Sequence, residues 1–151
     1  MSLPETAAAD WIDRPDALQA WLAAIPADAA IGLDTEFMRR NTFYPQLALL
    51  QLGWNGRYAL IDPLAFDIGA ALQPLLGAGP AVTIMHSAGE DLETLAPLLP
   101  DGPHILFDTQ IAAAFAGMGL GLSYRALVAE LTGVDLDKGE TRSDWLQRPL
   151  T

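Results

Sequence analysis

The 151-residue chain is 51% hydrophobic and 18% charged, contains no cysteine and carries a net charge of −11. That length and apolar content suit one compact domain, and the lack of cysteine excludes a disulfide framework, a thiolate metal site and a thiol nucleophile. With only eight Lys and Arg, the chain is no general phosphate-backbone binder, although an acidic protein can still meet phosphate through divalent cations.

In chain order, Asp13 as N-cap and Pro15 in a first turn precede Leu18, Trp21, Leu22 and Ile25 at helical spacing, which predicts an amphipathic helix over 13–25. Residues 29–37 run apolar and then acidic, as in a buried strand whose end reaches the surface. Leu47 to Trp54 and Arg57 to Asp62 are two more strands, joined by the two-residue hairpin signal Asn55-Gly56. A helix over 68–76 and a fourth strand over Ala81 to His86 follow.

Ser87-Ala88-Gly89-Glu90 has the form of a capping box opening a helix that continues through Leu92, Leu95, Leu98 and Leu99 to Pro100. Ile105 to Asp108 is a short fifth strand, Asp108 is placed to cap a helix from Thr109 to Ala116, and Ser123 caps another reaching Thr132. Residues from Gly133 onward read as loop. An antiparallel three-strand meander followed by alternating helices and parallel strands is a mixed-sheet α/β pattern, compatible with a ribonuclease H-like fold. No apolar run reaches the ~18 residues of a membrane span, and Met1-Ser2-Leu3-Pro4-Glu5 lacks the pattern of a signal peptide. A cytoplasmic protein without a membrane partner is expected.

Asp34 and Glu36 alternate along a strand and so share one face. Two acids on one side of an apolar strand are costly unless exposed, paired or bound to cations, so the pair invites a metal; taken alone such a pair is more often a solvated strand end. Asp91 stands in a helix's first turn, where the dipole already favours an anion, and reaches the same place only if the fourth strand lies beside the first. His86 closes its strand as a ligand, a base or a residue held by hydrogen bonds. Arg39-Arg40 and the group Lys138, Arg142 and Arg148 are the basic clusters next to candidate functional segments. Gly117-Met118-Gly119-Leu120-Gly121 follows a helix and lacks a phosphate loop's Lys, so it reads as a flexible connection.

Several ordered motifs resemble the ribonuclease D family of DEDD 3′-5′ exonucleases. They are Asp34-Thr35-Glu36-Phe37, Tyr44-Pro45-Gln46-Leu47, Leu49-x-Gln51-Leu52, Ile61-Asp62-Pro63, His86-Ser87-Ala88-Gly89-Glu90-Asp91-Leu92 and Phe107-Asp108-Thr109-Gln110. Leu136-Asp137-Lys138 and Arg142-Ser143-Asp144-Trp145-Leu146-x-Arg148-Pro149-Leu150 extend the match almost to the end.

The resemblance implies a ribonuclease H-like mixed five-stranded sheet with flanking helices. It makes Asp34, Glu36 and Asp91 catalytic carboxylates that hold two divalent metal ions, Mg²⁺ or Mn²⁺. It places Thr35, Phe37, Tyr44, Gln46 and His86 at the substrate, with Phe37 also a candidate for core packing. The family's third motif, a Tyr followed four residues later by an Asp soon after Arg-Pro-Leu, has no counterpart before Thr151. Residues 1–151 are therefore expected to be an exonuclease domain lacking its C-terminal helices, weak or inactive alone. The expected substrate is RNA, with tRNA precursors trimmed from the 3′ end and no obligate protein partner. A non-catalytic RNA- or protein-binding module of the same fold and a DNA 3′-exonuclease are the competing expectations.

Overall fold

A computed structural model of the chain describes residues 8–137 and 143–150. Strand β1 (Asp10–Ile12) leads into α1 (Pro15–Ala23), and β2 (Ala30–Met38), β3 (Gln46–Trp54) and β4 (Arg57–Ile61) follow in succession. Next come α2 (Gly69–Leu72), which widens into a π-helical turn over Gln73–Gly77, then β5 (Val82–Met85) and α3 (Gly89–Leu95). Strand β6 (Ile105–Asp108), α4 (Thr109–Phe115) and α5 (Tyr124–Thr132) complete the described elements. None of the described helices is long and apolar enough to cross a membrane.

The strands form one mixed sheet of six, in the order β1-β4-β3-β2-β5-β6. The expected meander is present: β2, β3 and β4 pair antiparallel. Its hairpin turns on Asn55 and Gly56 at φ 50° and 74°, the doubly left-handed geometry that the right-handed twist of paired strands favours. β5 joins β2 in parallel through Ala30↔Val82 to Gly32↔Ile84, and β6 joins β5 in the same sense.

The sixth strand corrects the expected five. Asp10–Ile12 pairs in parallel with Ala59–Ile61, and a three-residue edge strand carries too few side chains to show a period of two.

Alternation along the strands sends Ile31 and Leu33 of β2, Leu50 and Leu52 of β3, Ala59 and Ile61 of β4 and Met85 of β5 to one face. There Leu18 and Trp21 of α1, Leu72 of α2 and Leu95 of α3 bury them. Burial of these groups on one side fixes the register, because a one-residue slip would turn the whole set to the opposite face.

Two predicted caps are absent. Helix α1 begins at Pro15 with Arg14 in the cap position and no side-chain cap, so Asp13 does not serve. The capping box at Ser87 does not form either: Ala88 occupies the cap position without a side-chain bond, and Ser87 is left-handed at φ 56°. The loose amides are taken instead by Asp108, whose carboxylate accepts from Ser87 N (3.0 Å) and Ala88 N (2.9 Å). Asp108 also caps α4, as expected, through Gln110 N and Ile111 N. Ser123 likewise caps α5.

Candidate active site

The bond between β2 and β5 puts the start of α3 beside the end of β2, which is the adjacency the carboxylate reading requires. Asp34 and Glu36 lie on the sheet face opposite the main core, Asp34 open to solvent and Glu36 half-buried. Asp91 is 9% exposed. Thr35, on the core-facing side and 6% exposed, donates its hydroxyl to Asp91 Oδ1. That bond ties the helix acid to the strand that carries Asp34 and Glu36.

The charge of Asp91 bears on both strand acids, and that of Asp34 on Glu36. Burial, then the charge of Asp91, raises the pKa of Asp34 above the ordinary carboxylate value. Burial, then Asp34 and Asp91, pushes Glu36 up to about 7. Asp91 is raised mainly by burial, against the lowering effect of the Thr35 hydroxyl. Among the described residues no Lys, Arg or His forms an ion pair with any of the three.

Such a set asks for positive charge. Hard carboxylate oxygens suit Mg²⁺ or Mn²⁺ in chemistry. The fit is nonetheless incomplete, since no three His, Asp or Glu among the described residues are gathered closely enough to hold an ion as they stand. Asp91 in particular is committed to Thr35.

The remaining predicted positions divide. Gln46 is exposed at the start of β3, opposite Met38, and Tyr44 is 66% exposed with its ring edge-on to Phe43 at 5.1 Å. Phe37 is half-buried beneath the Arg39 guanidinium, 5.9 Å from the ring centre. Thr35 does not face a substrate with its side chain, which corrects that expectation: alternation turns it inward, and its hydroxyl serves Asp91.

His86 has both ring nitrogens engaged, Nδ1 with Thr109 Oγ1 and Nε2 with the Leu122 carbonyl, each at 2.9 Å. No nitrogen is left for a metal or for proton transfer, and only the ring is available to a ligand.

The basic clusters also resolve. Arg39 pairs with Glu93 (2.7 Å) and Glu90 (3.6 Å), and Arg40 with Asp144 (3.0 Å). Lys138 and Arg142 lie outside the described residues.

Sequence reasoning assigned no role to Gln51. It stands opposite Asp34 across the ladder, and its amide donates to Glu36 Oε1 at 3.5 Å. Nor did it foresee the open cleft of about 490 Å³ beside Asp34, floored by Gly32 and Gly53 and walled by Tyr58, Ile84, His86 and Tyr124. Such a cleft needs six separate elements, β2 to β5 with α4 and α5, to converge, which no local pattern announces.

A family model described as 3′-5′ exonuclease matches residues 9–151. The ribonuclease D of Xanthomonas oryzae pv. oryzae is 52% identical over 141 residues, 93% of this chain and 39% of that protein. The crystal structure of Escherichia coli RNase D, described as an exoribonuclease involved in structured RNA processing, superposes with a TM-score of 0.89 at 42% identity, over 96% of this chain and 39% of that one. NrnC of Brucella melitensis with bound Mg²⁺ shares the fold at a TM-score of 0.67 and 23% identity, over 82% of this chain and 61% of that one. The chain spans about two-fifths of the length of the ribonucleases D it matches. On these grounds it belongs to the 3′-5′ exonuclease family, with ribonucleases D as its relatives there.

Proposed function

We propose that this domain removes nucleotides from the 3′ end of RNA as nucleoside 5′-monophosphates, with Asp34, Glu36 and Asp91 holding two divalent ions, Mg²⁺ or Mn²⁺. One observation carries the reading: Asp34 and Glu36 of β2 and Asp91 of the neighbouring α3 have raised pKa values and, among the described residues, no cationic partner. When bound, a pair of divalent ions supplies water activation, a clamp on the scissile phosphate and stabilisation of the leaving 3′ oxygen.

The protein's own residues perform the remaining work. Thr35 orients Asp91, Gln51 steadies Glu36, and Tyr44, Gln46 and the ring of His86 border the nucleotide, with Phe37 backing Arg39. Since Arg39 and Arg40 are neutralised by acids, phosphate is met through metal more than through basic side chains.

The parent protein acts on tRNA precursors in the cytoplasm and has no obligate protein partner. Residues 1–151 form an exonuclease domain. Tyr124, 58% exposed, lines the cleft beside Asp34 and gives a nucleotide an aromatic surface there. With no three ligating groups gathered closely enough among the described residues, the 151-residue chain by itself binds metal weakly and hydrolyses little.

Mn²⁺ titration of the 151-residue chain, followed by incubation of matched 5′-labelled RNA and DNA strands, tests the proposal. Weak Mn²⁺ binding that disappears in Asp34→Asn supports it. No binding at millimolar Mn²⁺ overturns it in favour of a non-catalytic module. A robust RNA ladder abolished by Asp34→Asn would refute the expected inactivity of this chain, and preference for the DNA strand would make it a DNA exonuclease.

A further inference from the structure

The ladder between β2 and β3 slips beside the carboxylate site. Glu36 faces Leu49 and Phe37 faces Leu47, so Ala48 stands between them without a partner on β2. It has none on β4 either, because that pairing ends at Leu50↔Ile61. Ala48 is fully buried, and a buried carbonyl left unsatisfied costs about 1–3 kcal/mol.

Arg148, 100 residues away in sequence, donates to this buried residue: its Nη2 reaches the Ala48 carbonyl at 2.7 Å. The same guanidinium grips Asp62 through Nε and Nη2, both at 2.7 Å. Its Nη1 donates to the Trp145 and Gln147 carbonyls at 2.8 and 2.9 Å. A guanidinium has five N–H bonds, and five acceptor contacts engage them here.

Asp62 is 5% exposed, its carboxyl held below the ordinary range chiefly by Arg148, and the Trp11 ring lies 5.8 Å from the guanidinium. Lysine could keep the ion pair but could not serve five acceptors in this planar arrangement. The bulge is thus clamped from outside the sheet by a group that has little freedom to move.

A bulge re-aims the side chains beside it, and loss of this one would shift the pairing of Phe37 and Met38 by a residue immediately after Glu36. We infer that Arg148 is a positioning residue for the carboxylate site: by binding the bulged Ala48 carbonyl it holds the bulge that ends the regular ladder at Glu36↔Leu49 and so fixes how the Glu36 side chain projects. Its functional weight rests on the metal-site reading above, whereas the clamp itself does not.

The test compares Arg148→Lys and Asp62→Asn with the native 151-residue chain. Without metal, the amide resonances of Glu36, Phe37 and Leu47 to Leu49 shift in Arg148→Lys and exchange at least ~10-fold faster, while the amide of Leu18 in α1 is unmoved. Asp62→Asn gives a smaller change at the same residues and decides the matter if Arg148→Lys fails to fold. Mn²⁺ affinity falls by ~10-fold or more, the usual range for loss of a group that orients a ligand.

Changes confined to Asp62 and residues 143–150 would overturn the inference. So would a disturbed bulge with unaltered Mn²⁺ affinity in a chain that binds Mn²⁺. If the native chain binds no Mn²⁺, the metal reading fails, and the metal-free amide signals still decide the clamp.

Discussion

Replacing Glu36 by Gln should stabilise the metal-free protein at alkaline pH. The carboxyl titrates at about 7 against an ordinary 4.5 because burial, Asp34 and Asp91 all oppose its charge. The folded state therefore holds this proton more tightly than the unfolded chain, and stability falls as pH rises from about 4.5 through about 7. Each pH unit in that interval is worth ~1.4 kcal/mol, so the gap corresponds to ~3.5 kcal/mol at full strength; solvent screening of a half-buried group reduces this to ~1–2 kcal/mol.

Gln keeps the shape of the protonated acid and never ionises. In the presence of a chelator, Glu36→Gln should raise Tm by about 3–6 °C at pH 8.5 and by almost nothing at pH 4.5. Millimolar Mn²⁺ should narrow or reverse the difference, since only the native carboxylate gains a cation. A variant no more stable than native at pH 8.5 without metal would refute the account of Glu36 as a strained anion.

Thr35→Val removes the donor to Asp91 at nearly constant volume; Mn²⁺ affinity should drop by ~10-fold in titration calorimetry, and a variant that binds as native would mean the hydroxyl does not orient the acid. For Asp108, burial raises the pKa but the amides of Ala88, Ser87, Gln110 and Ile111 together outweigh it and hold the carboxyl below its usual range. Its stabilisation is present above the unfolded value of 3.8 and is lost as pH falls through the lower folded value. Asp108→Asn should consequently lower Tm at pH 7, and the deficit should vanish in strong acid; a deficit unchanged across that range would disprove the charge-assisted cap.

The local chemistry of the chain was legible before any coordinates. The Asn55-Gly56 hairpin, the caps at Asp108 and Ser123 and the shared face of Asp34 and Glu36 all follow from rules that act over two to four residues. The capping box at Ser87 obeyed the same rules and still failed, because β6 delivered a competing acceptor from 21 residues away. The edge strand Asp10–Ile12 was invisible for a related reason: its pairing with β4 lies in the sheet, not in its own three side chains.

The sequence by itself determined the acids available to the site, their spacing along β2 and the family resemblance that made a metal plausible. Only the tertiary structure decided that α3 starts beside the end of β2, that Thr35 turns inward to hold Asp91, and that His86 has both nitrogens engaged. It alone decided that Arg148 closes a bulge next to Glu36. These are contacts between residues 23 to 100 positions apart, set by which strands pair and in what register, and local periodicity carries no information about that choice.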